Sequence, residues 1–260
     1  MLKILKYSFY DLIRSRWSYV YLLFYLALGF VLLFLNNDLS KAVITLMNVI
    51  IILVPLIGTI FGVMYYYNSK EFTELLLAQP IKRSSIFLGQ YLGVALSLSM
   101  SLIIGLGLPF TMYGLFQSNT IWEFLLLLIT GTFLTLIFTA LAFNIALYNE
   151  NKIKGFSYAI LLWLFMAVIY DGLFLMSLIM FESYPLDKFS IGVTLFNPID
   201  LSRILILLKL DISALLGYTG AVFQKFFGTN LGVILSCVAL SIWVFLPTFN
   251  IYRKSKKKDF

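Results

Sequence analysis

Histidine is absent from this 260-residue sequence, and cysteine occurs once, at Cys237. The missing imidazoles remove the usual axial ligands of haem, the histidine clusters of membrane di-iron enzymes and the imidazole sites of a zinc protease. A single cysteine forms no internal disulfide, and the apolar neighbours of Cys237 suggest an inert buried thiol. No phosphate-binding glycine loop is present either, so the chain does not itself hydrolyse ATP. Charge is the next scarcity: only 12% of residues are charged, against 61% hydrophobic and 17% aromatic. Such a chain is far too apolar for a soluble domain of this length and reads as a polytopic membrane protein. The net charge of +7 suggests nucleic acid in a soluble protein. Here the cations sit at the ends of apolar runs, where they report topology instead.

Six apolar runs are long enough to cross the hydrocarbon core, at about 17–35, 42–66, 86–113, 122–148, 156–181 and 229–252. Residues 1–16 precede them as an amphipathic helix lying in the interface. Leu2, Leu5, Phe9, Leu12 and Ile13 share one face, and Lys3, Lys6, Tyr10 and Arg14 the other. A basic start before an apolar run also describes a signal peptide, with Ala27-Leu28-Gly29 as its small-x-small site, but the run continues unbroken to Leu35 and reads as a span. Pro55 and Gly58 mark a kink in the second span. In the third, Gly89, Gly93, Ser97 and Ser101 recur every four residues, a stripe that lets another helix approach closely, and Gly105, Gly107 and Pro109 weaken its outer end. With six spans, the cations at 3–16, 70–83, 152–154 and 253–260 fall on one side, so both termini are expected in the cytoplasm. The basic tail at 253–260 abuts a span end, which favours attraction to anionic lipid over nucleic-acid binding.

Between the second and third spans lies the longest charged interruption before residue 180. From Glu71 to Gln79 the sequence reads as a short amphipathic helix, with Phe72, Leu75, Leu76 and Gln79 on one face and Glu71 and Glu74 beside it. Pro80 stops it, and Lys82 and Arg83 follow. An apolar ridge flanked by charges of both signs suggests docking onto a partner; the plainer reading is a connector whose apolar side rests on lipid headgroups.

The region 182–228 is the one long non-spanning stretch. Asn197 caps a helix there, Pro198 takes its first position, and Asp200 sits near the positive end of its dipole. Leu201, Ile204, Leu205 and Leu208 form its apolar face, with Arg203 and Lys209 beside it. This helix and a second segment, 214–227, are expected at the outer surface, with partial dipping into the bilayer left open. Asp171 is the one deep acid of the spans. Counting along the fifth span puts it roughly 22 Å from the cytoplasmic side. A carboxylate in the bilayer core costs about 2.5 to 3.5 kcal/mol, so Asp171 requires a partner, and Arg203 is the proposed one. The pair is read either as a fixed clamp or as a gate. Met176 and Met180, one turn apart on the same span, are weak candidates as metal ligands and read first as core filling.

An amphipathic N-terminus, six spans, and a charged helix reading Glu74-Leu75-Leu76-Leu77-Ala78-Gln79-Pro80-Ile81-Lys82-Arg83 between spans two and three resemble the permease subunits of ABC-2 type transporters. More narrowly, Leu88-Gly89-Gln90-Tyr91-Leu92-Gly93, the aspartate after Trp163-Leu164-Phe165, Asn197-Pro198-x-Asp200-Leu201-x-Arg203, and Leu216-Gly217-Tyr218-Thr219-Gly220 resemble the permease of nitrous oxide reductase maturation transporters. The resemblance implies an all-α homodimeric permease of the bacterial inner membrane. Residues 68–85 are then the coupling helix on which a separate ATPase docks, bringing ATP and Mg, and a periplasmic accessory protein receives or supplies cargo. Glu71, Phe72, Glu74, Leu75, Gln79, Pro80, Lys82 and Arg83 are the coupling residues so implied; Asp171, Asn197, Asp200 and Arg203 belong to the pathway or its gate. Many relatives open this helix with glutamate and a Gly-Thr pair, whereas this chain reads Asn68-Ser69-Lys70-Glu71-Phe72-Thr73, which leaves Glu71 and Glu74 both open as the acid that meets the ATPase.

The cargo so implied serves assembly of the reductase copper site. Without histidine and with one cysteine, a bare copper ion would travel on methionines or carboxylates, so a sulfur-containing species is an equal candidate. Two rival readings stand beside this one. An ABC-2 exporter of a lipid, drug or other small molecule shares the architecture, and a membrane-embedded enzyme would need a cluster of polar groups at one depth, where the spans offer Asp171 alone.

Overall fold

The computed structural model describes residues 1–36, 38–118, 120–181, 187–209 and 230–256. Among them every regular element is helical. α1 (Leu2–Arg14) leads into α2 (Arg16–Asn36), α3 (Leu39–Asn68), the short α4 (Lys70–Leu77), α5 (Arg83–Met112) and α6 (Ile121–Tyr148). α7 (Lys152–Leu164) passes through a π-helical turn, Phe165–Ile169, into α8 (Tyr170–Met180); α9 (Asp187–Leu195), α10 (Pro198–Lys209) and α11 (Asn230–Ser255) follow. Among the described residues, six helices or helix runs are long and apolar enough to span a membrane: α2, α3, α5, α6, α7 with α8, and α11.

Local chemistry sets the boundaries. The Asp38 carboxylate accepts the Ser40 N–H at 2.9 Å and starts α3, and Asn151 accepts the Ile153 and Lys154 N–H groups at 2.9 and 3.3 Å to start α7. α5 ends where Gly114 adopts φ 91°, a left-handed conformation in which a Cβ is disfavoured. α3 runs as one helix through Pro55, where the sequence places a kink, with the Thr59 hydroxyl donating to the Pro55 carbonyl at 2.8 Å. α5 likewise continues past Gly105 and Pro109.

α5 and α6 form the enclosed centre, and α7 with α8 and α11 are the least enclosed spans. Phe87, Tyr91, Phe110, Phe124, Phe138 and Phe143 fill the middle and are fully buried. The small-residue stripe of α5 carries two helices. At Gly93 an added Cβ would lie 2.7 Å from the Ser8 Cβ and 3.0 Å from the Leu5 carbonyl oxygen, so α1 crosses backbone against backbone there. Further along, a Cβ on Gly105 would meet the Tyr25 Cβ of α2 at 2.7 Å. The supposed weak point of α5 is therefore a packing site.

Several expectations change. α1 buries Ile4, Ser8 and Leu12, a stripe rotated from the expected face, and Leu2 is exposed; the flat side of α5, not the hydrophobic count of α1, selects the contact. The helix expected over 71–79 ends at Leu77, so Gln79 lies in the turn after it, because the residue before Pro80 is steered away from helical geometry. α10 is not a surface helix: Ile199, Leu201, Ile204, Leu205, Ile206 and Leu207 are all buried, as expected of a helix that is apolar nearly all round. α9 and α10 meet at 114°, a bend that makes the pair a re-entrant hairpin or one broken span. Cys237 is half-buried rather than buried. Met176 and Met180 are exposed, so neither fills the core of this chain. The segment 214–227 and the tail at 257–260 lie outside the described residues, as do the side chains of Leu208 and Lys209.

Candidate functional site

At the end of the bundle that holds α1 and α4, the connection from α3 into α4 is only Ser69 wide, and Thr73 turns inward. Its hydroxyl accepts the Gln90 amide of α5 at 2.8 Å and donates to the Ser69 carbonyl at 2.8 Å, which pins α4 beneath the spans. Phe72 is half-buried and stacks on Tyr7 of α1, ring centroids 4.5 Å apart and planes 23° off parallel. Leu75, by contrast, is 68% exposed, with Glu71 and Glu74 exposed beside it and Lys70 3.9 Å from Glu74. Gln79, Pro80, Lys82 and Arg83 are exposed in the following turn and at the start of α5. The expected ridge thus divides: Phe72 faces its own chain and Leu75 faces outward.

This same end holds the Lys152 ammonium, which donates to the Asn68 side chain at 3.1 Å, and Lys254, which lies over the Tyr148 ring. Basic residues of α1, α4, α7 and α11 therefore share one end, and Lys41 lies at the other, where Ser40 and Thr120 are hydrogen-bonded at 3.3 Å.

The second cluster joins α8 to α10. The π turn at Phe165–Ile169 shifts the helical hydrogen-bond register, and the Met166 carbonyl inside it accepts the Asn197 side-chain amide at 2.8 Å. Asn197 also donates to Asp200 at 2.9 Å, while its side-chain oxygen accepts the Ile199 N–H at 3.1 Å as a helix cap. Arg203, one turn on, reaches the Asp171 carboxylate at 2.5 Å and the Asp200 carboxylate at 3.4 Å. The proposed Asp171 and Arg203 pair is thus present, and Asn197 and Asp200 extend it into one network. Asp200 is almost wholly enclosed, whereas the Asp171 and Arg203 side chains keep 26% and 29% exposure, so the pair faces a partly open space. Two carboxylates share one guanidinium, an arrangement that holds only while the two helices stay together.

Composition and spacing did not point to the supports of either cluster. Gln90 and Thr73 were legible only as polar residues out of place, and Met166 takes part through its backbone. Tyr170 donates to the Val193 carbonyl at 2.6 Å, and the Trp243 indole to the Leu195 carbonyl at 3.0 Å, fixing α9 from both sides. Among the described residues no group of three or more acids or cysteines could hold a metal ion.

A bundle of six membrane-length helices, entered by an amphipathic helix and bearing a short helix between its second and third spans, defines a multi-pass membrane protein. The chain is similar to a protein of Stutzerimonas stutzeri described as a probable ABC transporter permease protein NosY, with 23% identity over 211 residues, 75% of this chain and 76% of that protein. The resemblance read from the sequence motifs points to the same protein. No protein-family model matches the chain.

Proposed function

We propose that this chain is the membrane-spanning subunit of an ABC-2 type transporter that moves a cargo needed for copper-site assembly of nitrous oxide reductase. ATP is hydrolysed by a separate subunit docked at the α4 end. Two copies of the chain enclose the pathway, and an accessory protein meets it on the far side. The observation that carries this reading is α4 itself: a helix pinned from above through Thr73 and Gln90 that presents Leu75, Glu71 and Glu74 outward. A connector resting on lipid needs no such tether. The basic residues gathered at the α4 end support a cytoplasmic placement of that end and of both termini in the inner membrane.

At the other end, the Asp171–Arg203–Asp200 network fits a gate. Movement of α8 against α10 exposes the three charges to water together, and closure buries them again. Composition leaves two cargos open: a sulfur-containing species asks for no histidine ligands, and a copper ion would travel on methionines or carboxylates.

The experiment disrupts the chain in its host and purifies the reductase. The expected product is reductase polypeptide at normal yield without the absorption of its assembled copper site, restored by the intact chain. A fully assembled site in the disrupted strain overturns the cargo. Co-purification of an ATPase in that case leaves the exporter class standing.

A further inference from the structure

Beside α4 lies a cleft of about 320 Å³ that the coupling argument does not use, with walls that include Tyr7, Asp11, Trp17, Tyr65 and Phe72. We infer that this cleft receives one cationic side chain, an arginine or a lysine, of the ATPase subunit; the inference rests on the permease reading above and names a contact within it.

Three observations carry it. Asp11 is an exposed carboxylate that forms no ion pair among the described residues. Tyr65 is 6% exposed and closes the back of the cleft, its hydroxyl enclosed beside the Ser8 and Asp11 side chains. The stacked rings of Tyr7 and Phe72 and the indole of Trp17 supply π faces, which attract a cation, most strongly where water is excluded. Glu71 on adjacent α4 is exposed as well, while Glu74 beside it pairs with Lys70 at 3.9 Å. A carboxylate and aromatic faces together match a guanidinium or ammonium.

Helical phase favours a protein side chain over a lipid amine. At about 100° per residue, Tyr7, Asp11 and Ser15 project between the buried stripe of Ile4, Ser8 and Leu12 and the polar side of Lys6, Tyr10 and Arg14. The apolar edge of Leu5, Phe9 and Ile13, which faces lipid if α1 lies in the interface, is on the opposite side. The cleft therefore opens toward the aqueous side, where the ATPase docks.

The test places the photocrosslinking residue p-benzoylphenylalanine at Tyr7 and, separately, at Leu75 in the complete transporter expressed with its ATPase, and identifies the joined peptides by mass spectrometry. The expected result is an ATPase peptide at both positions, the one at Tyr7 containing arginine or lysine. Asp11→Asn is expected to lower ATPase retained on the purified permease about fivefold, with recovery in Asp11→Glu and an unchanged elution profile of the permease itself. Crosslinking to the ATPase at Leu75 alone overturns the cleft contact and leaves the permease reading intact. Lipid joined at Tyr7, with ATPase at Leu75, overturns it in favour of a headgroup site. No ATPase peptide at either position overturns the docking reading and this inference with it.

Discussion

At the α4 end, α1 lies against α5 because Gly89 and Gly93 leave no side chain between the backbones, and the charged residues around this joint point into solvent. Toward the other end the arrangement is inverted. α10 is held to α8 by Asp171, Arg203, Asp200 and Asn197, largely withdrawn from water, with the Met166 carbonyl as the last acceptor. One joint depends on volume and tolerates changes of charge; the other depends on charge balance and on geometry within a few tenths of an ångström. A contact through glycine involves no ionisable group and so does not depend on charge balance. A contact through a shared set of ionisable side chains holds while they are paired and weakens once water enters, which suits a part that moves.

The largest effect is expected where the charge balance is broken. Arg203→Met keeps the stem of the side chain and leaves two carboxylates, one of them enclosed, without their cation. Removing one partner of a fully buried pair costs about 3 to 5 kcal/mol, and the 26–29% exposure of this pair places the loss near the lower end. Thermal unfolding in detergent measures it. The gate and the clamp then separate in Asp171→Asn, which removes one charge and keeps the shape. Lost maturation activity with normal assembly and ATP hydrolysis identifies the gate; lower yield with unchanged activity per molecule identifies the clamp. The exchange Asp171→Arg with Arg203→Asp leaves one cation facing two carboxylates, and is expected to recover stability in part.

Next in size is the volume-limited joint. Gly93→Ala places a methyl group 2.7 Å from the Ser8 Cβ and 3.0 Å from the Leu5 carbonyl oxygen, and backbone cannot rotate away as a side chain does. The expected cost is about 1 to 3 kcal/mol, with α1 becoming sensitive to protease while the spans stay protected. Ser8→Gly in the same chain is expected to return part of the loss. An acid placed at exposed Tyr10, by contrast, is expected to leave this joint unchanged.

Which parts of this architecture are readable without coordinates depends on how local their causes are. The six spans follow from run length and hydropathy, and the start of α10 from Asn197, Pro198 and Asp200, because each cause lies within a few residues of its effect. The pairing of Asp171 with Arg203 was legible because a lone acid in an apolar span requires a cation at its depth. The burial of α10 was not, since a 12-residue apolar helix suits an interface and a re-entrant hairpin equally, and only the three helices around it decide. The inward turn of Phe72 depends on Tyr7, far away in the sequence. The π turn at Phe165–Ile169 arises from packing and carries no residue signature of its own.

A smaller effect is expected at the tether of α4. Thr73→Val removes the acceptor of the Gln90 amide and leaves that donor enclosed, at a cost of about 1 to 3 kcal/mol, toward the lower figure because α4 can shift to admit water. Gln90→Leu combined with Thr73→Val takes away both partners and is expected to return most of the stability without restoring the position of α4. Hydrogen exchange at the α4 amides reads the position, and unfolding reads the stability.

The smallest effect on the fold, and the sharpest on partnership, is expected at Leu75. Phe72 and Leu75 lie three residues apart on α4, yet one ring stacks on Tyr7 and the other side chain is 68% exposed. Leu75→Asp therefore removes no contact within the chain, and its effect on stability is expected to stay within about 0.5 kcal/mol. If an ATPase groove closes over Leu75, the same change buries an unpaired carboxylate at the contact, and co-purification of the ATPase is expected to collapse while the permease elutes as before. Phe72→Asp loses the stack on Tyr7 as well, so it is expected to lower both stability and ATPase retention. Normal ATPase retention with Leu75→Asp, together with a loss in Phe72→Asp, would mean that the partner reads the shape of the α1–α4 joint and not the exposed ridge. The cleft beside Tyr7 would then be the principal contact.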